Sequence, residues 1–241
     1  MAKSNPIINT SLLSPLSAKQ FLKRLELLRP LHSNSEISNV MGVPKGKVFA
    51  LAKEFMNMPL DEIEKLLESP FHEARVGAVG IMDFQARNKK TPESHRKELF
   101  DLYIRRHDLI NTWDLVDRSA PYVVGGHLLD KSREILFKLA RSKNMAERRT
   151  AIVSTYFFIR KNDVDDTFKI AEILVNDEDK FIQMAVGGWI REAGKRDVQK
   201  LLSFLDKYAA TMPRVTLRYA IEHLDKEKKE LYMNMGKKKA K

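Results

Sequence analysis

The sequence contains no cysteine. This absence excludes a disulfide framework, a thiolate nucleophile, a cysteine-ligated zinc site and a conventional iron–sulfur cluster. The six histidines show no metal-ligand spacing, and glycine-rich phosphate loops are also absent from the sequence. We therefore expect an intracellular protein that works without a metal ion or another cofactor.

Long apolar runs are missing as well. No stretch approaches the roughly 18 consecutive apolar residues that a membrane-spanning helix requires, and the first residues lack the apolar core of a secretory signal. We expect a soluble, cytoplasmic protein with no membrane partner.

Glycine and proline are scarce, at 10 and 9 residues, and the apolar residues recur at intervals of three and four. This pattern predicts an all-α fold. Ser17 and Gln20 form a capping-box motif at the first helix, and Pro44 and Pro92 stand where first helical residues are expected. Further helices are predicted near residues 60–68, 70–88, 112–120, 127–141, 144–160, 164–175, 178–193, 196–208 and 213–225.

Similar segments recur along the chain. Units that begin at residues 66, 102, 139, 174 and 208 each carry an arginine-, small- or apolar-rich stretch nine to thirteen residues later, with a period of about 35 residues. A period of this length, filled by two short helices, predicts an α-solenoid of HEAT-like helical-hairpin repeats with a concave basic groove. We expect one curved domain over residues 17–235, a flexible N-terminus over 1–16 and a disordered lysine-rich tail over 236–241.

The chain is basic, with 43 Lys and Arg against 32 Asp and Glu and a net charge of +11. Only four of the positive charges lie in the terminal tail, so the rest of the chain is basic too. A basic surface favours a polyanionic partner such as nucleic acid.

The two tryptophans suggest a functional face. Trp113 and Asp117 are four residues apart and therefore share one helical face, and Trp189 is expected on the same side two repeats later. Arg149 borders this face from the repeat between them. The alternative is that Trp113 is a core residue, and Asp114 is the rival carboxylate, although it points about 100° away from Trp113.

Five segments carry a resemblance to a known family. They are residues 71–75 (FHEAR), 111–117 (NTWDLVD), 149–152 (RTAI), 186–195 (VGGWIREAGK) and 212–221 (MPRVTLRYAI). The chain resembles the AlkD-type DNA alkylation-repair glycosylases, which are HEAT-like repeat proteins. The segments follow the family's order and cover most of residues 40–225. One departure is Met41, which stands before Gly-Val where the family often has an aromatic residue.

The resemblance assigns roles to four residues. Trp113 and Asp117 match the family's functional tryptophan and catalytic aspartate, Arg149 matches its helical arginine, and Trp189 matches its second tryptophan. The resemblance also implies that the lesion is engaged through its backbone in an open groove. The chain is thus expected to be a monofunctional glycosylase for 3-methyladenine and 7-methylguanine in duplex DNA.

The chemistry of these residues fits that activity. Alkylation at N3 or N7 makes a purine cationic and a good leaving group, so the glycosidic bond breaks through an oxocarbenium-like sugar without a strong general acid. Asp117 would stabilise this cation and orient a water molecule, while Trp113 and Trp189 would flank the nucleotide. Arg149 would hold a phosphate and balance the charge of Asp117.

The protein is expected to act as a monomer on DNA. Further DNA contacts are expected from the basic residues of the last repeats, namely Arg148, Arg191, Lys195, Arg214 and Arg218. Two alternatives stay open: a non-catalytic HEAT-repeat DNA-binding protein and a protein-binding scaffold. Asp117 favours the enzyme over the non-catalytic DNA-binding protein, because phosphate binding gains nothing from a carboxylate.

Overall fold

The computed structural model describes residues 16–30 and 39–236, and within them the chain is all-helical, as predicted. The α-helices are α1 (Ala18–Glu26), α2 (Lys45–Glu54), α3 (Leu60–Leu67), α4 (His72–Arg87), α5 (Glu93–Arg105), α6 (Trp113–Ala120), α7 (Glu134–Ala140), α8 (Met145–Ser154), α9 (Tyr156–Ile159), α10 (Asp165–Leu174), α11 (Lys180–Gly194), α12 (Val198–Tyr208), α13 (Arg214–Ala220) and α14 (Lys226–Asn234). Apart from Leu16 and Gly236, the predicted N-terminal and C-terminal tails lie outside the described residues.

Local signals set most helix starts. The capping box is present: the Ser17 hydroxyl accepts from the Gln20 N–H at 3.3 Å, and the Gln20 side chain accepts from the Ser17 N–H at 2.9 Å. The sequence suggested that Pro44 and Pro92 occupy the first helical positions, and this prediction is wrong by one residue. Each has extended ψ and precedes its helix as the N-cap residue.

Only the second half of the helix predicted over 127–141 forms, as α7. A five-residue π-helical turn, Pro121–Gly125, follows α6, because proline has no N–H to continue the α-helical pattern. Turns then lead to α7, and the Arg133 guanidinium donates to the Leu129 carbonyl at 2.9 Å. The Arg133 side chain thus gives the Leu129 carbonyl the hydrogen bond that a backbone N–H would give it in a longer helix.

Two further boundaries differ from the sequence predictions. The helix predicted over 144–160 breaks at Thr155, where the Ser154 and Thr155 hydroxyls donate to the Thr150 and Ile152 carbonyls, both at 2.7 Å. Such bonds compete with the helix and bend it.

The helix predicted over 213–225 ends at Ala220, and α14 was not predicted. Asp225 caps α14 by accepting from the Lys228 N–H at 2.8 Å.

Five helices pack in a row that runs through the molecule. Helix α4 contacts α6, α6 contacts α8, α8 contacts α11 and α11 contacts α13. Other helices pack against this row: α3 packs on α4, α7 on α8, and α10 and α12 on α11. In the described part of the chain, no helix is long and apolar enough to cross a bilayer. The row brings α6, α8 and α11, which carry the predicted site residues, side by side.

Candidate functional site

Asp117 and Arg149 form an ion pair between α6 and α8. The Arg149 Nε donates to Asp117 Oδ1 at 2.7 Å, and its Nη2 donates to Oδ2 at 2.8 Å, which is the planar two-bond geometry that arginine favours with carboxylates. The Arg149 side chain is only 10% exposed, whereas Asp117 keeps 36% of its side chain exposed. Arg149 therefore fixes one edge of the carboxylate and leaves the other accessible.

Arg149 also contacts α11. Its Nη1 donates to the Phe181 carbonyl at 2.5 Å, so one guanidinium joins three helices of the row. Three of its five N–H groups are thereby used within the protein. The charge balance with Asp117 that the sequence suggested is present in this geometry, while the phosphate contact of Arg149 stays a prediction.

Asp117 and Trp189 face one open groove of about 480 Å³. The Trp189 ring packs against Tyr156, with ring centroids 5.3 Å apart and ring planes at 49°. The residues that line the groove are Asp117, Arg149, Tyr156, Met184, Ala185, Gly188, Trp189, Arg191, Glu192 and Tyr219. The groove thus combines two carboxylates, Asp117 and Glu192, with three aromatic side chains, and both kinds of group attract a positive charge.

Trp113 lies apart from the groove lining, although it is on the same helix as Asp117. Its side chain is 43% exposed, which excludes the alternative of a core residue. The ring stacks on Phe181 at 6.2 Å between centroids and 11° between planes, and the Lys45 Nζ lies 5.0 Å from the ring centroid. Since Arg149 holds the Phe181 backbone, the Trp113–Phe181 pair lies next to Asp117.

Asp114, the rival carboxylate, is held by three donors. Its oxygens contact His72 Nε2 at 2.9 Å, Lys45 Nζ at 2.7 Å and Thr112 Oγ1 at 2.7 Å, and its side chain is 11% exposed. Burial alone would raise the pKa of Asp114, but the bonds from His72, Lys45 and Thr112 outweigh it and hold the pKa well below its usual range. Asp114 links α2, α4 and α6 and does not line the groove.

Two of the predicted DNA-binding arginines are engaged elsewhere. Arg148 pairs with Asp177 at 2.6 Å and donates to the carbonyls of residues 142 and 143, both at 3.0 Å. Arg214 donates to the Met233 carbonyl at 2.7 Å. Both guanidinium groups hold neighbouring segments, and neither lines the groove. Their contacts with DNA stay a prediction.

Of the other predicted cations, Arg191 lines the groove, Lys195 contacts the groove residue Glu192, and Arg218 lies on α13. Arg191 pairs with Glu222 and Glu192, and the Lys195 Nζ contacts both Glu192 oxygens at 2.8 and 3.0 Å. Arg218 is exposed and has no ion-pair partner among the described residues. The described residues contain no group of three or more side chains that could hold a metal ion.

Several groove residues were not predicted from the sequence. Glu192 supplies a second carboxylate; burial would raise its pKa, but the bonds and charges of Lys195 and Arg191 keep the pKa below its usual range. Tyr156 is the first residue of α9, after the helix break at Thr155, and it also lines the groove. Gly188 was expected from the sequence, together with Gly187, to permit close approach of a helix or of the DNA backbone. The signal that could have indicated Glu192 is its spacing of four residues from Gly188 along α11.

Comparison with known proteins places the chain in a family. The family model described as DNA alkylation repair enzyme matches residues 17–224, which is most of the chain. No curated protein matches the sequence. The match includes every residue of the groove described above, so the chain belongs to the family of DNA alkylation repair enzymes.

Proposed function

We propose that the protein is a DNA glycosylase that hydrolyses the N-glycosidic bond of cationic N3- and N7-alkylpurines in duplex DNA. The observation that carries this proposal is the Asp117 carboxylate, oriented by Arg149 on one edge and open to an aromatic groove on the other. In the proposed reaction the alkylated purine leaves as a neutral base, and Asp117 stabilises the positive sugar that remains.

Asp117 is suited to two tasks in this step. A carboxylate about 4 Å from a unit positive charge is worth roughly 4 kcal/mol at an effective dielectric constant near 20. Arg149 has the same sign as the developing cation, so it offsets part of this attraction. It also fixes the carboxylate, whose free lone pairs then accept a proton from the water molecule that attacks the anomeric carbon.

The aromatic rings stabilise the same charge. Trp189 and Tyr156 form one wall of the groove, and Trp113 with Phe181 forms a second exposed ring pair nearby. An aromatic face attracts a cation by about 0.5–2 kcal/mol. No lysine lines the groove, so the proposed product is an abasic site in an uncut strand.

The row of helices supports the proposed architecture. We place α4, α6, α8, α11 and α13 as the inner helices of a HEAT-like solenoid, with the groove on its concave side. Such a face can hold a duplex without enclosing the lesion. We propose alkylated duplex DNA as the partner, one protein copy per lesion and no cofactor.

The decisive test is base release from methylated duplex DNA. Purified protein should release free 7-methylguanine and 3-methyladenine and leave alkali-labile sites, with no strand cleavage before alkali. Asp117→Asn is the strongly impaired control, and Glu192→Gln is the matched variant because it removes the other carboxylate of the groove. DNA binding without base release by the wild type would favour the non-catalytic DNA-binding alternative.

A further inference from the structure

Helix α11 presents an interrupted row of side chains to the groove. Met184, Gly188 and Glu192 are spaced by four residues, so they lie along one face of the helix, and all three line the groove. Met184 and Glu192 are long side chains, whereas Gly188 between them has none. The floor of the groove therefore has a notch at its centre, one side chain deep, where the helix backbone is exposed.

The protein's own packing does not require a glycine at this notch. A Cβ added at the preceding Gly187 would lie 2.4 Å from the Thr216 carbonyl oxygen and 2.7 Å from the Tyr219 Cβ, so Gly187 permits close packing of α11 on α13. A Cβ added at Gly188 would meet no atom within 4 Å. A helix with glycine at an interior position is less stable than the same helix with alanine there. The free protein would therefore be more stable with alanine at position 188.

The groups around the notch indicate which part of DNA would enter it. Asp117 and Glu192 place two carboxylates on the groove lining, paired there with Arg149 and Arg191, and a carboxylate in this position attracts a sugar that becomes cationic. Trp189 and Tyr156 offer ring faces to the apolar C–H groups of such a sugar. The phosphates on either side of this sugar would pair with cations such as Arg191, which lines the groove, and Arg218, which is exposed on α13.

We propose that Gly188 is the point of closest contact between α11 and bound DNA, and that the deoxyribose of the nucleotide being hydrolysed fills the notch. Gly188 is thus a specificity-determining residue: its missing side chain sets how close the anomeric carbon comes to Asp117. The inference rests on the proposed glycosylase function, and wild-type base release tests that function separately.

The test uses Gly188→Ala and Gly46→Ala in the full-length protein. Gly46 is the matched control because it also lies in a helix and its added Cβ also meets no atom within 4 Å. Both variants should keep or raise the melting temperature, by up to about 2–4 °C. Single-turnover excision of 7-methylguanine should slow about tenfold or more in Gly188→Ala and stay at the wild-type rate in Gly46→Ala.

A binding measurement identifies the part of DNA at the notch. Gly188→Ala should bind duplex with a tetrahydrofuran abasic-site analogue about tenfold more weakly than the wild type, with binding of undamaged duplex unchanged. Equal loss on both duplexes would overturn the sugar assignment in favour of a general backbone contact. Wild-type excision and binding by Gly188→Ala would overturn the proposal, even with an active wild-type enzyme.

Discussion

The Asp117 carboxylate has one neutralised edge and one open edge, and this geometry leads to a first prediction. Asp117→Asn keeps the size of the side chain but removes the charge opposite the developing sugar cation. We expect a loss of about 3 kcal/mol of transition-state stabilisation, which slows single-turnover excision about a hundredfold. DNA affinity should stay nearly unchanged, because the lost attraction exists mainly in the transition state.

Two other carboxylates serve as controls for this prediction. Glu192→Gln removes a charge that Lys195 and Arg191 already neutralise, so its effect on the rate should be below about tenfold. Excision at the wild-type rate by Asp117→Asn, together with loss in a correctly folded Asp114→Asn, would contradict the assignment of the catalytic carboxylate.

Asp114 leads to a second prediction, on stability and its pH dependence. Its pKa in the folded protein is below the usual value of 3.8, so it stabilises the fold above that pH and the contribution disappears as the pH falls. Asp114→Asn loses the charge that His72 and Lys45 contact, and should lower the free energy of unfolding by about 1–3 kcal/mol at neutral pH. Urea unfolding should show a smaller difference between the variant and the wild type as the pH approaches 3.

The third prediction separates the two tryptophans. Trp113→Ala should slow excision about tenfold with little change in melting temperature, because Trp113 is 43% exposed and lies outside the core. Trp189→Ala should slow excision to a similar extent and also lower the melting temperature, because Trp189 packs partly against the core. Thermal unfolding measured beside single-turnover kinetics checks both parts; a large loss of stability in Trp113→Ala would contradict the exposed placement.

At the scale of secondary structure, the contact of α11 with α13 depends on Gly187. The fourth prediction is that Gly187→Ala lowers the free energy of unfolding by about 1–3 kcal/mol, because its methyl group would collide with the Thr216 backbone and the Tyr219 side chain. Thr216 Oγ1 also donates to the Gln183 carbonyl at 3.1 Å, so the two helices cannot simply move apart. Denaturant unfolding measures the effect. An unchanged midpoint would show that α13 shifts without cost.

At the scale of the whole molecule, the distribution of cations sets how DNA affinity depends on salt. The sequence predicts five phosphate contacts and a slope of log K against log salt of roughly −4 to −5, at about 0.9 per phosphate. In the structure Arg148 and Arg214 hold other segments, which leaves Arg149, Arg191, Lys195 and Arg218 as candidate phosphate contacts. The exposed pairs of Arg191 and Lys195 with glutamates exchange easily for phosphates, since such pairs contribute little stability.

The fifth prediction is therefore a slope of roughly −3 to −4 for undamaged duplex, from four phosphate contacts at about 0.9 each. Fluorescence anisotropy at several salt concentrations measures it, and Arg218→Ala should make the slope less negative by about one. Removal of residues 236–241 should leave base excision largely intact. A slope near zero would contradict DNA binding and favour the protein-scaffold alternative.

The sequence alone determined those features that depend on neighbours along the chain. Spacing of three and four residues predicted the helices, Ser17 and Gln20 predicted the first cap, and the five-segment resemblance predicted the family that the comparison then established. The shared helix of Trp113 and Asp117 was also predictable, because both residues lie within two turns. These features need no knowledge of which helices meet.

Only the tertiary structure decided which side chains meet across helices. Arg149 and Asp117 are 32 residues apart, and their pairing follows from the contact of α8 with α6. Glu192 and Tyr156 line the same groove because α11 packs against α8 and α9. The different roles of Gly187 and Gly188 also depend on packing, since a glycine looks the same in sequence whether α13 or open space lies beside it. Helical periodicity assigns a residue to a face, and only the packing of the helices determines what that face contacts.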